Sequence, residues 1–500
     1  MDKSIHAVRS PRTIDDAYDA ALASETRPVA ESLKRHSPIQ SGPVQIPVER
    51  YIDKAFHDLE VEKLWKRVWQ MACHEDDIPE IGDSIVYDIA DMSFIVVRTG
   101  EDEFKSYYNA CLHRGRKLRS GAVKGAKDIR CQFHGWTWSL EGRLTQVPCL
   151  WDFPDLKRDE QRLPEAKVGR WGRFVFINPD IDAEPFETFI GDLQTHFSVL
   201  PYERRFKSAH VAKIIRANWK VTREAFMESY HVIATHPATI AGGVQDLEGK
   251  YDVYGNYSRA IRIGGLESLA LPDWDALPSD GVFRMRHPLN GWIYERADPG
   301  TGLSEVRVTT PAGETGRYTW QGDHIEGALG EVNIHMCNWV GGPQMPASTS
   351  QSRTAHDREV LRDAIPSLVD QVPDIEFKPI YFSLFPNFDP WGSFNKIVYR
   401  FRPNGSNHEE SIMEVMFLEP IPEQGEHRPV RDIHWLGADD DWTEAPELGM
   451  LAKLLNQDVG NMQYVQQGLH ATQRQTIQLS DYNETKIRHF HDLLEKWLEI

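Results

Sequence analysis

Hydrophobic and polar positions divide the chain into segments of different periodicity. Over residues 52–71, in AFHDLEVEKLWKRVWQM, apolar residues recur every three to four positions, which predicts an amphipathic helix. Over residues 82–99 the pattern changes to short apolar runs. SIVYDIA and SFIVVRT, separated by residues 91–92, predict a β-hairpin, and KSYYNA and GRFVFINPD predict further strands. We therefore expect an all-β unit over about residues 80 to 180.

Beyond residue 180 the chain alternates between helical and strand-like patterns. Helices are predicted at 185–200, 220–233 and 446–470, and strands in KPIYFSLFPNF, FNKIVYRFRP and SIMEVMFLEPIP. Long strands flanked by helices predict a second, larger α+β domain. Residues 240–345 are rich in Gly, Pro and Trp and predict no particular element. The polar N-terminal segment predicts an arm with one short helix near residues 15–22.

Composition narrows the classes of function. The chain has 500 residues, of which 40% are hydrophobic and 26% charged, so it can bury sizeable cores and is not wholly disordered. A net charge of −19 argues against nucleic-acid binding. No window approaches about 18 consecutive apolar residues, so we expect no membrane span. MDKSIHAVRSPRTIDDAYDA lacks the apolar stretch of a signal peptide, and we expect a cytoplasmic protein.

Two cysteines and two histidines have the spacing of metal ligands. Cys111 and His113 form C-x-H, and after 17 residues Cys131 and His134 form C-x-x-H. Four unrelated residues, or a structural zinc site, are the alternatives. Zinc sites commonly pair like ligands, as C-x₂₋₄-C and H-x₃₋₅-H, whereas each pair here is mixed. The mixed pairing suits a two-iron cluster with cysteines on one iron and histidines on the other.

The segment around these residues resembles a known family. CLHRG…CQFHGWTWSLEGRL resembles the Rieske [2Fe–2S] motif of the large subunits of Rieske non-haem iron oxygenases. The resemblance implies that Cys111 and Cys131 hold one iron and that His113 and His134 hold the other. Neutral imidazoles in place of thiolates raise the reduction potential of such a cluster.

Basic residues surround this motif. Residues 104–130 contain eight bases and a single acid, Asp128, although the whole chain is acidic. A solvated loop surface would explain such a run. Our functional hypothesis is a docking patch for an acidic electron donor, a reductase or a ferredoxin. The basic patch is defined here as Arg114, Arg116, Lys117 and Arg119.

A second pair of histidines follows in NWKVTREAFMESYHVIATHPATI. His231 and His236 lie about 140° apart on an ideal helix, so both can bind one ion only if the helix ends or distorts between them. Pro237 favours such a break, because the residue before a proline disfavours helical backbone. Two unrelated structural histidines are the alternative.

The same family resemblance extends to this second segment. The pattern N-W-K-x₃-E-x-F-x-E-x-Y-H-x₄-H-P resembles the family's iron-binding segment, and LLNQDVGNMQYVQQGLHA resembles its C-terminal segment. The resemblance implies a mononuclear iron held by His231, His236 and Asp458. Such a 2-His-1-carboxylate triad leaves coordination positions open for O₂. The rival carboxylates are Asp439, Asp440 and Asp441.

Glu228 stands where the family has an acidic residue between the two metal centres. The resemblance implies that Glu228 hydrogen-bonds His231 of its own chain and His134 of a neighbouring subunit, and gives electrons a short route. Many ring-dihydroxylating members have Asp at this position. Many members also have Asn where this chain has Ala225, so we expect one hydrogen bond near the iron to be missing.

The resemblance covers about residues 50 to 475 and implies an α+β fold. An N-terminal all-β Rieske domain would precede a helix-grip (START-like) catalytic domain, whose antiparallel sheet wraps around a long C-terminal helix. We expect an arm at 1–45, a Rieske domain with a flanking helix at 46–185, and a catalytic iron domain at 186–500.

The function implied is that of a terminal oxygenase component. It would use O₂ and electrons from NAD(P)H, through a reductase with or without a ferredoxin, to mono- or cis-dihydroxylate an aromatic or other apolar ring. Oxidative N- or O-demethylation, or oxidation of a quaternary amine, is the alternative. A START-like lipid-binding module with a redox domain, or a zinc-stabilised structural protein, would have no such activity.

The resemblance also implies an assembly and a pocket. A homotrimer is expected, with or without a β subunit, because the electron path crosses between subunits. Residues 240–345 are expected to shape a pocket for a small apolar substrate. Candidate lining residues are Phe283, Trp292, Phe382 and Phe385.

Overall fold

The computed structural model describes residues 11–38, 42–241, 249–263, 272, 274–343 and 353–500. The N-terminal arm contains α1 (Pro11–Ser24), so the short helix expected near residues 15–22 is confirmed. The buried hydroxyl of Tyr18 donates to the carbonyl of Leu33 at 2.6 Å. After the arm, β1 (Gln45–Pro47) leads into α2 (Glu49–Ile52) and α3 (Lys54–Glu60).

The helix predicted over residues 52–71 ends earlier than expected. α3 continues as one π-helical turn, Val61–Trp65, and the chain then enters β2 (Gln70–His74). Every residue of β2 is buried. A strand buried on both faces has no polar alternation, so its apolar run reads like the continuation of the helix.

The all-β unit consists of two antiparallel sheets. The larger has the order β2-β10-β9-β5-β4-β3, and the smaller has the order β6-β7-β8. The predicted hairpin is confirmed as β3 and β4, joined at residues 90–91. The other strands are β3 (Ser84–Ile89), β4 (Met92–Arg98), β5 (Phe104–Tyr108), β6 (Ile129–Arg130), β7 (Thr137–Trp138), β8 (Leu144–Gln146), β9 (Glu165–Trp171) and β10 (Phe174–Asn178).

A larger sheet follows, with the order β12-β13-β19-β20-β21-β22-β11-β23. Its paired strands are antiparallel except that β11 and β23 are parallel. The predicted α+β class with antiparallel sheets is therefore confirmed. The strands are β11 (Arg205–Ile215), β12 (Gly249–Tyr254), β13 (Tyr257–Arg262), β19 (Ile380–Leu384), β20 (Phe388–Pro390), β21 (Ile397–Asn404), β22 (Asn407–Pro420) and β23 (His434–Leu436).

Part of the stretch that predicted no particular element forms a five-stranded antiparallel sheet, called the third sheet here because it follows the six- and eight-stranded sheets. Its order is β14-β15-β16-β17-β18, and it buries Tyr294, Val306 and Val308 against helix α8 (Ile334–Gly341). Residues 242–248, 264–271, 273 and 344–345 of that stretch lie outside the described residues. The strands are β14 (Arg284–Arg286), β15 (Ile293–Arg296), β16 (Val306–Thr309), β17 (Thr315–Tyr318) and β18 (His324–Gly327).

The helices predicted at 185–200 and 446–470 are present with changed bounds, whereas the one predicted at 220–233 is wrong over residues 225–231, which lie between the helices Trp219–Glu224 and Val232–Thr235. The prediction at 185–200 corresponds to α4 (Phe186–Ile190), which ends at Gly191 with a φ of +58°, and to a 3₁₀ turn after it. The prediction at 446–470 is confirmed as α11 (Met450–Ala471). The remaining elements are α5 (Trp219–Glu224), α6 (Val232–Thr235), α7 (Pro237–Ala241), α9 (Arg353–Ala364), α10 (Pro366–Val369), β24 (Thr476–Gln478), which pairs with β1, and α12 (Thr485–Leu498).

The two large sheets share a buried, charged junction. Asp76 accepts the backbone N–H of Lys207 at 2.8 Å and pairs with Arg173 at 2.6 Å. The ammonium of Lys207 is buried against Asp77. One hydrophobic core continues from the first sheet into the second, so the two units are packed together. Within the described residues, no helix is long and apolar enough to cross a bilayer.

Candidate metal centres

Two loops of the same form carry the first four predicted ligands. In one loop the N–H of Gly115 donates to the carbonyl of Cys111 at 2.8 Å, and in the other the N–H of Gly135 donates to the carbonyl of Cys131 at 3.0 Å. Both glycines have a φ of +73°, a left-handed conformation that glycine adopts without strain. The two loops therefore share one backbone form, although the histidine lies two residues after Cys111 in one loop and three residues after Cys131 in the other.

The structure brings the thiols together and the imidazoles together. The thiols of Cys111 and Cys131 are both buried, and each affects the pKa of the other. Burial and the neighbouring Cys131 raise the pKa of Cys111. At Cys131 backbone N–H donors outweigh burial and lower the pKa. The rings of His113 and His134 lie edge to face with their centroids 4.6 Å apart.

These residues fit a Rieske cluster. Cysteine pairs with cysteine and histidine with histidine, as one iron with thiolate ligands and one with imidazole ligands require. The indole of Trp136 stacks on His113 at 5.0 Å and nearly parallel. Within the part of the chain that the structure describes, the buried Nδ1 of His113 has no hydrogen-bond partner. An unpartnered imidazole nitrogen is a position that a metal ion would satisfy.

The second pair of histidines lies at the two ends of one short helix. His231 is the residue before α6, and His236 follows it with φ −120° and ψ 49°, just before Pro237. The break expected at this proline is present. It turns the two rings toward each other, with centroids 5.4 Å apart. Donor atoms of His231, His236 and Asp458, on α11, lie within 4.8 Å of one another.

Each of these rings has a partner on its far side. Nδ1 of His231 lies 2.6 Å from Oε1 of Glu228, and Nδ1 of His236 lies 2.8 Å from Oε1 of Gln457. Nε2 of His231 and of His236 face Oδ1 of Asp458 at 3.4 Å and 2.8 Å. Burial disfavours the charged form of His231, but Glu228 and Asp458 outweigh it and raise the pKa of its imidazole.

The centre of this triad fits a cation. In the described residues, the buried Oδ1 of Asp458 makes no contact with the geometry of a hydrogen bond. Nitrogen lone pairs directed at a carboxylate oxygen repel it, so these three atoms converge favourably only around a positive charge. Two imidazoles and one carboxylate are the ligand set of mononuclear non-haem iron.

The rival carboxylates have other partners. Asp439 forms a two-point ion pair with Arg216 at 2.7 and 2.8 Å. Asp440 accepts the N–H of Gly437 at 2.6 Å, and Asp441 caps the turn that follows it. These interactions account for the acidic loop without a metal ion.

Sequence reasoning missed residues that surround the triad. Gln457 is buried, and its side chain also donates to the carbonyl of His335 at 3.0 Å. Asn461 donates to the hydroxyl of Thr235 at 3.3 Å. The position of Gln457 directly before Asp458 was a usable signal, whereas His335 lies in the stretch that predicted no particular element. Ala225 is half-buried against the core.

The four aromatic residues predicted to line a pocket lie elsewhere. Phe382 packs against His196 and Phe197 in the main core, and Phe385 is buried there too. Phe283 is partly exposed, and Trp292 packs on the third sheet's core. None of their ring contacts, within the described residues, reaches the triad. Their role in a pocket stays a prediction that these contacts do not support.

A groove that sequence reasoning did not identify runs beside α11. Its volume is about 610 Å³, and Trp320, Trp339, Asn338 and Gln457 are among its lining residues. Two of these are tryptophans from the 240–345 stretch. Gln457, which also contacts His236, lies between the groove and the triad, whose three residues are not among the groove's described lining residues.

The basic patch is partly neutralised. Lys117 pairs with Asp88 at 3.0 Å, and Arg119 is half-buried and donates to the carbonyl of Asp128 at 2.7 Å. Arg114 is exposed and lies 5.5 Å from the ring centroid of Phe133. Of the four bases, Arg114 and Arg116 therefore contribute most of the uncompensated surface charge.

Sequence comparison identifies a known domain in this chain and several similar proteins. Residues 68–157 match the Rieske [2Fe–2S] domain. The anthranilate 1,2-dioxygenase large subunit of Acinetobacter baylyi is 28% identical over 202 residues, which are 39% of this chain and 43% of that protein. The carnitine monooxygenase oxygenase subunit of Escherichia coli is 26% identical over 215 residues, 43% of this chain and 57% of that protein. The chain thus spans about half the length of these curated relatives.

Solved structures of low sequence identity share the fold. A quaternary ammonium Rieske monooxygenase has a TM-score of 0.57 at 16% identity, covering 91% of this chain and 96% of that one. A naphthalene 1,2-dioxygenase variant has a TM-score of 0.57 at 16% identity, covering 92% and 94%. The family described as ring hydroxylating alpha subunit (catalytic domain) matches residues 199–500, which are more than half of the chain. Its Rieske domain precedes its catalytic domain along the chain. The protein therefore belongs to the family of ring-hydroxylating alpha subunits.

Proposed function

We propose that this protein is the terminal oxygenase component of a Rieske non-haem iron oxygenase system. The observation that carries the proposal is the convergence of His231, His236 and Asp458 within 4.8 Å, with their donor atoms directed at one another. His231, His236 and Asp458 would hold the iron, and Cys111, Cys131, His113 and His134 would hold the cluster. We propose a division into an arm, a Rieske domain at 46–185 and a catalytic domain at 186–500.

The metal groups would supply the redox chemistry. When bound, the cluster delivers electrons and the ferrous ion activates O₂ for insertion into a substrate. The chain's own residues hold the ligands in the required form. Glu228 accepts a hydrogen bond from Nδ1 of His231, so that Nε2 is the ring nitrogen available to a metal ion. The backbone N–H groups of His113 and Arg114 favour the thiolate of Cys111, while burial raises the pKa of this thiol overall.

Electron transfer would pass between subunits. Phe133 is 56% exposed and His134 is exposed, so the imidazole side of the first site is accessible to another protein. Tyr230, beside Glu228, is 60% exposed. We propose that the edge at His134 meets the surface at Glu228 of a neighbouring subunit in a homotrimer, with or without a β subunit. The basic patch would receive the reductase or ferredoxin.

The substrate would be an aromatic or other apolar ring. The groove beside α11 supports this assignment, because the indoles of Trp320 and Trp339 offer apolar faces next to Gln457. Phe283, Trp292, Phe382 and Phe385 would then contribute to packing around the catalytic domain. Mono- and cis-dihydroxylation both use the same triad.

Oxidation of a quaternary amine, or oxidative demethylation, is the second candidate. Two observations favour it. Glu228 replaces the Asp of many ring-dihydroxylating members, and two tryptophans, Trp320 and Trp339, line the groove. Aromatic faces attract quaternary ammonium groups.

A product screen tests both candidates. Protein with both metal sites loaded would be supplied with NADH, a surrogate reductase and ¹⁸O₂, and offered aromatic acids, polycyclic hydrocarbons, steroids and quaternary amines. We expect ¹⁸O in the product of one class, and none with the matched Asp458→Ala variant. Bound substrate without oxygen incorporation in any class would instead support a START-like binding module.

A further inference from the structure

We propose that Gln457 is a positioning residue that fixes the proton and the ring plane of His236 by tying this ligand to helix α8. The proposal rests on the proposed function, because it takes His236 as an iron ligand. The sequence analysis did not single out Gln457, although it directly precedes Asp458, and it is not itself a metal ligand.

The orientation of the Gln457 amide follows from its partners. One end of the amide lies 3.0 Å from the backbone carbonyl of His335, which can only accept a hydrogen bond. That end must therefore be the NH₂ group. The other end is then the oxygen, which can only accept, and it lies 2.8 Å from Nδ1 of His236.

The protonation of His236 follows in turn. Because its Nδ1 faces an acceptor, Nδ1 carries the proton, and Nε2 keeps the lone pair that faces Asp458 at 2.8 Å. Metal-ligating histidines generally need such a partner on their second nitrogen, which fixes the tautomer and the ring plane. The backbone of α8 thus determines which nitrogen of His236 can bind iron.

The two histidines are held by partners of different charge. A carboxylate holds His231 and a neutral amide holds His236. Gln457 is only 1% exposed, and one face of it lines the groove beside α11. The side chain of Asn461 donates to the backbone carbonyl of Gln457 at 3.2 Å, within the same part of α11.

Another glutamine of α11 provides a matched control. Gln466 is buried, accepts the N–H of Asn218 at 3.0 Å and donates to the carbonyl of Tyr51 at 3.3 Å. It makes the same two kinds of bond on the same helix, away from the triad. Loss of Gln466 therefore reports the general cost of removing a buried amide.

The test measures Fe(II) affinity and not turnover. Protein that retains its cluster would be freed of mononuclear metal by chelation and titrated with chelator-buffered Fe(II). We expect Gln457→Met to weaken Fe(II) binding about 10- to 100-fold. The EPR spectrum of its nitric oxide adduct should also change shape, because His236 is free to rotate. Gln457→Glu keeps an acceptor at Nδ1 but loses the donor to the His335 carbonyl, so it should weaken Fe(II) binding less than Gln457→Met does. Gln466→Met should leave both readouts unchanged.

Each alternative outcome overturns the proposal. Unchanged affinity and EPR in Gln457→Met would show that the amide does not position His236. Equal weakening in Gln457→Met and Gln466→Met would show a general structural effect. If Gln457→Met fails to fold, Gln457→Leu replaces it in the same comparison. A Gln457→Glu variant that binds Fe(II) no better than the apolar variant contradicts the acceptor role. A parent protein that binds no Fe(II) would contradict the proposed function itself.

Discussion

In both His231 and His236, the hydrogen-bond acceptor at Nδ1 decides that Nε2 is the ring nitrogen that faces Asp458. Glu228 lies behind one ring and Gln457 behind the other, at 2.6 and 2.8 Å. The sequence motif could suggest the three ligands and Glu228, because histidine and carboxylate side chains bind metal ions or hydrogen-bond the residues that do. It could not suggest the role of Gln457, because that role depends on a backbone carbonyl more than 100 positions away.

Asp458→Ala tests the carboxylate ligand. Removing one of three ligands should abolish mononuclear iron binding and turnover, and leave the visible spectrum of the cluster unchanged. Metal analysis and absorbance spectroscopy measure the two effects. Asp439→Ala is the control, since Asp439 is an exposed partner of Arg216. Iron loss in Asp439→Ala with iron retained in Asp458→Ala would reverse the assignment.

Glu228→Gln tests the proposed link between the metal centres. The amide can still contact His231 but removes the negative charge that raises the basicity of its ring. We expect both metals to stay bound and single-turnover electron transfer from cluster to iron to slow by about 10- to 100-fold. Stopped-flow absorbance of cluster oxidation in the presence of substrate and O₂ would measure it. A parent-like rate would refute the linking role.

At the scale of elements, two local structures position the candidate metal ligands. A pair of glycine-containing loops positions those of the first site, and a helix that ends before Pro237 positions the two histidines of the second. Both could be predicted from local sequence, because glycine and proline restrict the backbone directly. The confirmed hairpin β3–β4 and helix α11 likewise have strong local periodicity. The end of the helix at Trp65 and the third sheet could not be predicted, because burial against other elements overrides local pattern there.

Gly115→Ala tests the loop of Cys111 and His113. A side chain at a φ of +73° is strained even though no atom lies within 4 Å of the added Cβ. We expect the substitution to lower the free energy of unfolding by about 1 to 2 kcal/mol. The visible absorbance of the cluster should therefore be lost at a lower denaturant concentration than in the parent protein. Gly121→Ala is the control, because that glycine has equal space and no left-handed φ. Equal midpoints for the two variants would contradict the strain argument.

At the scale of the whole molecule, the charge is unevenly distributed. The chain has a net charge of −19, yet Arg114 and Arg116 project from the loop that carries the first site. Opposite charges on two partners accelerate their encounter, and this effect decreases with ionic strength. The buried junction of Asp76, Arg173 and Lys207 fixes this loop-bearing unit to the large sheet.

Charge reversal tests the docking hypothesis. Arg116→Glu should slow cluster reduction by an acidic donor about tenfold at low salt and flatten the salt dependence. Adding Lys117→Glu should have less further effect, because Lys117 already pairs with Asp88. Stopped-flow reduction across ionic strengths measures both. Arg307→Glu, on the third sheet, is the control, and equal slowing by this variant would exclude a specific patch.

The central claim is that one chain holds a two-iron cluster and a separate ferrous ion. Quantitative analysis of iron, zinc and acid-labile sulfide, combined with EPR of the dithionite-reduced protein, measures this directly. The account predicts about three irons per chain, two in the cluster and one at the triad, with a rhombic Rieske signal. Zinc in place of the cluster irons, or no iron beyond the cluster in protein reconstituted with Fe(II), would contradict it.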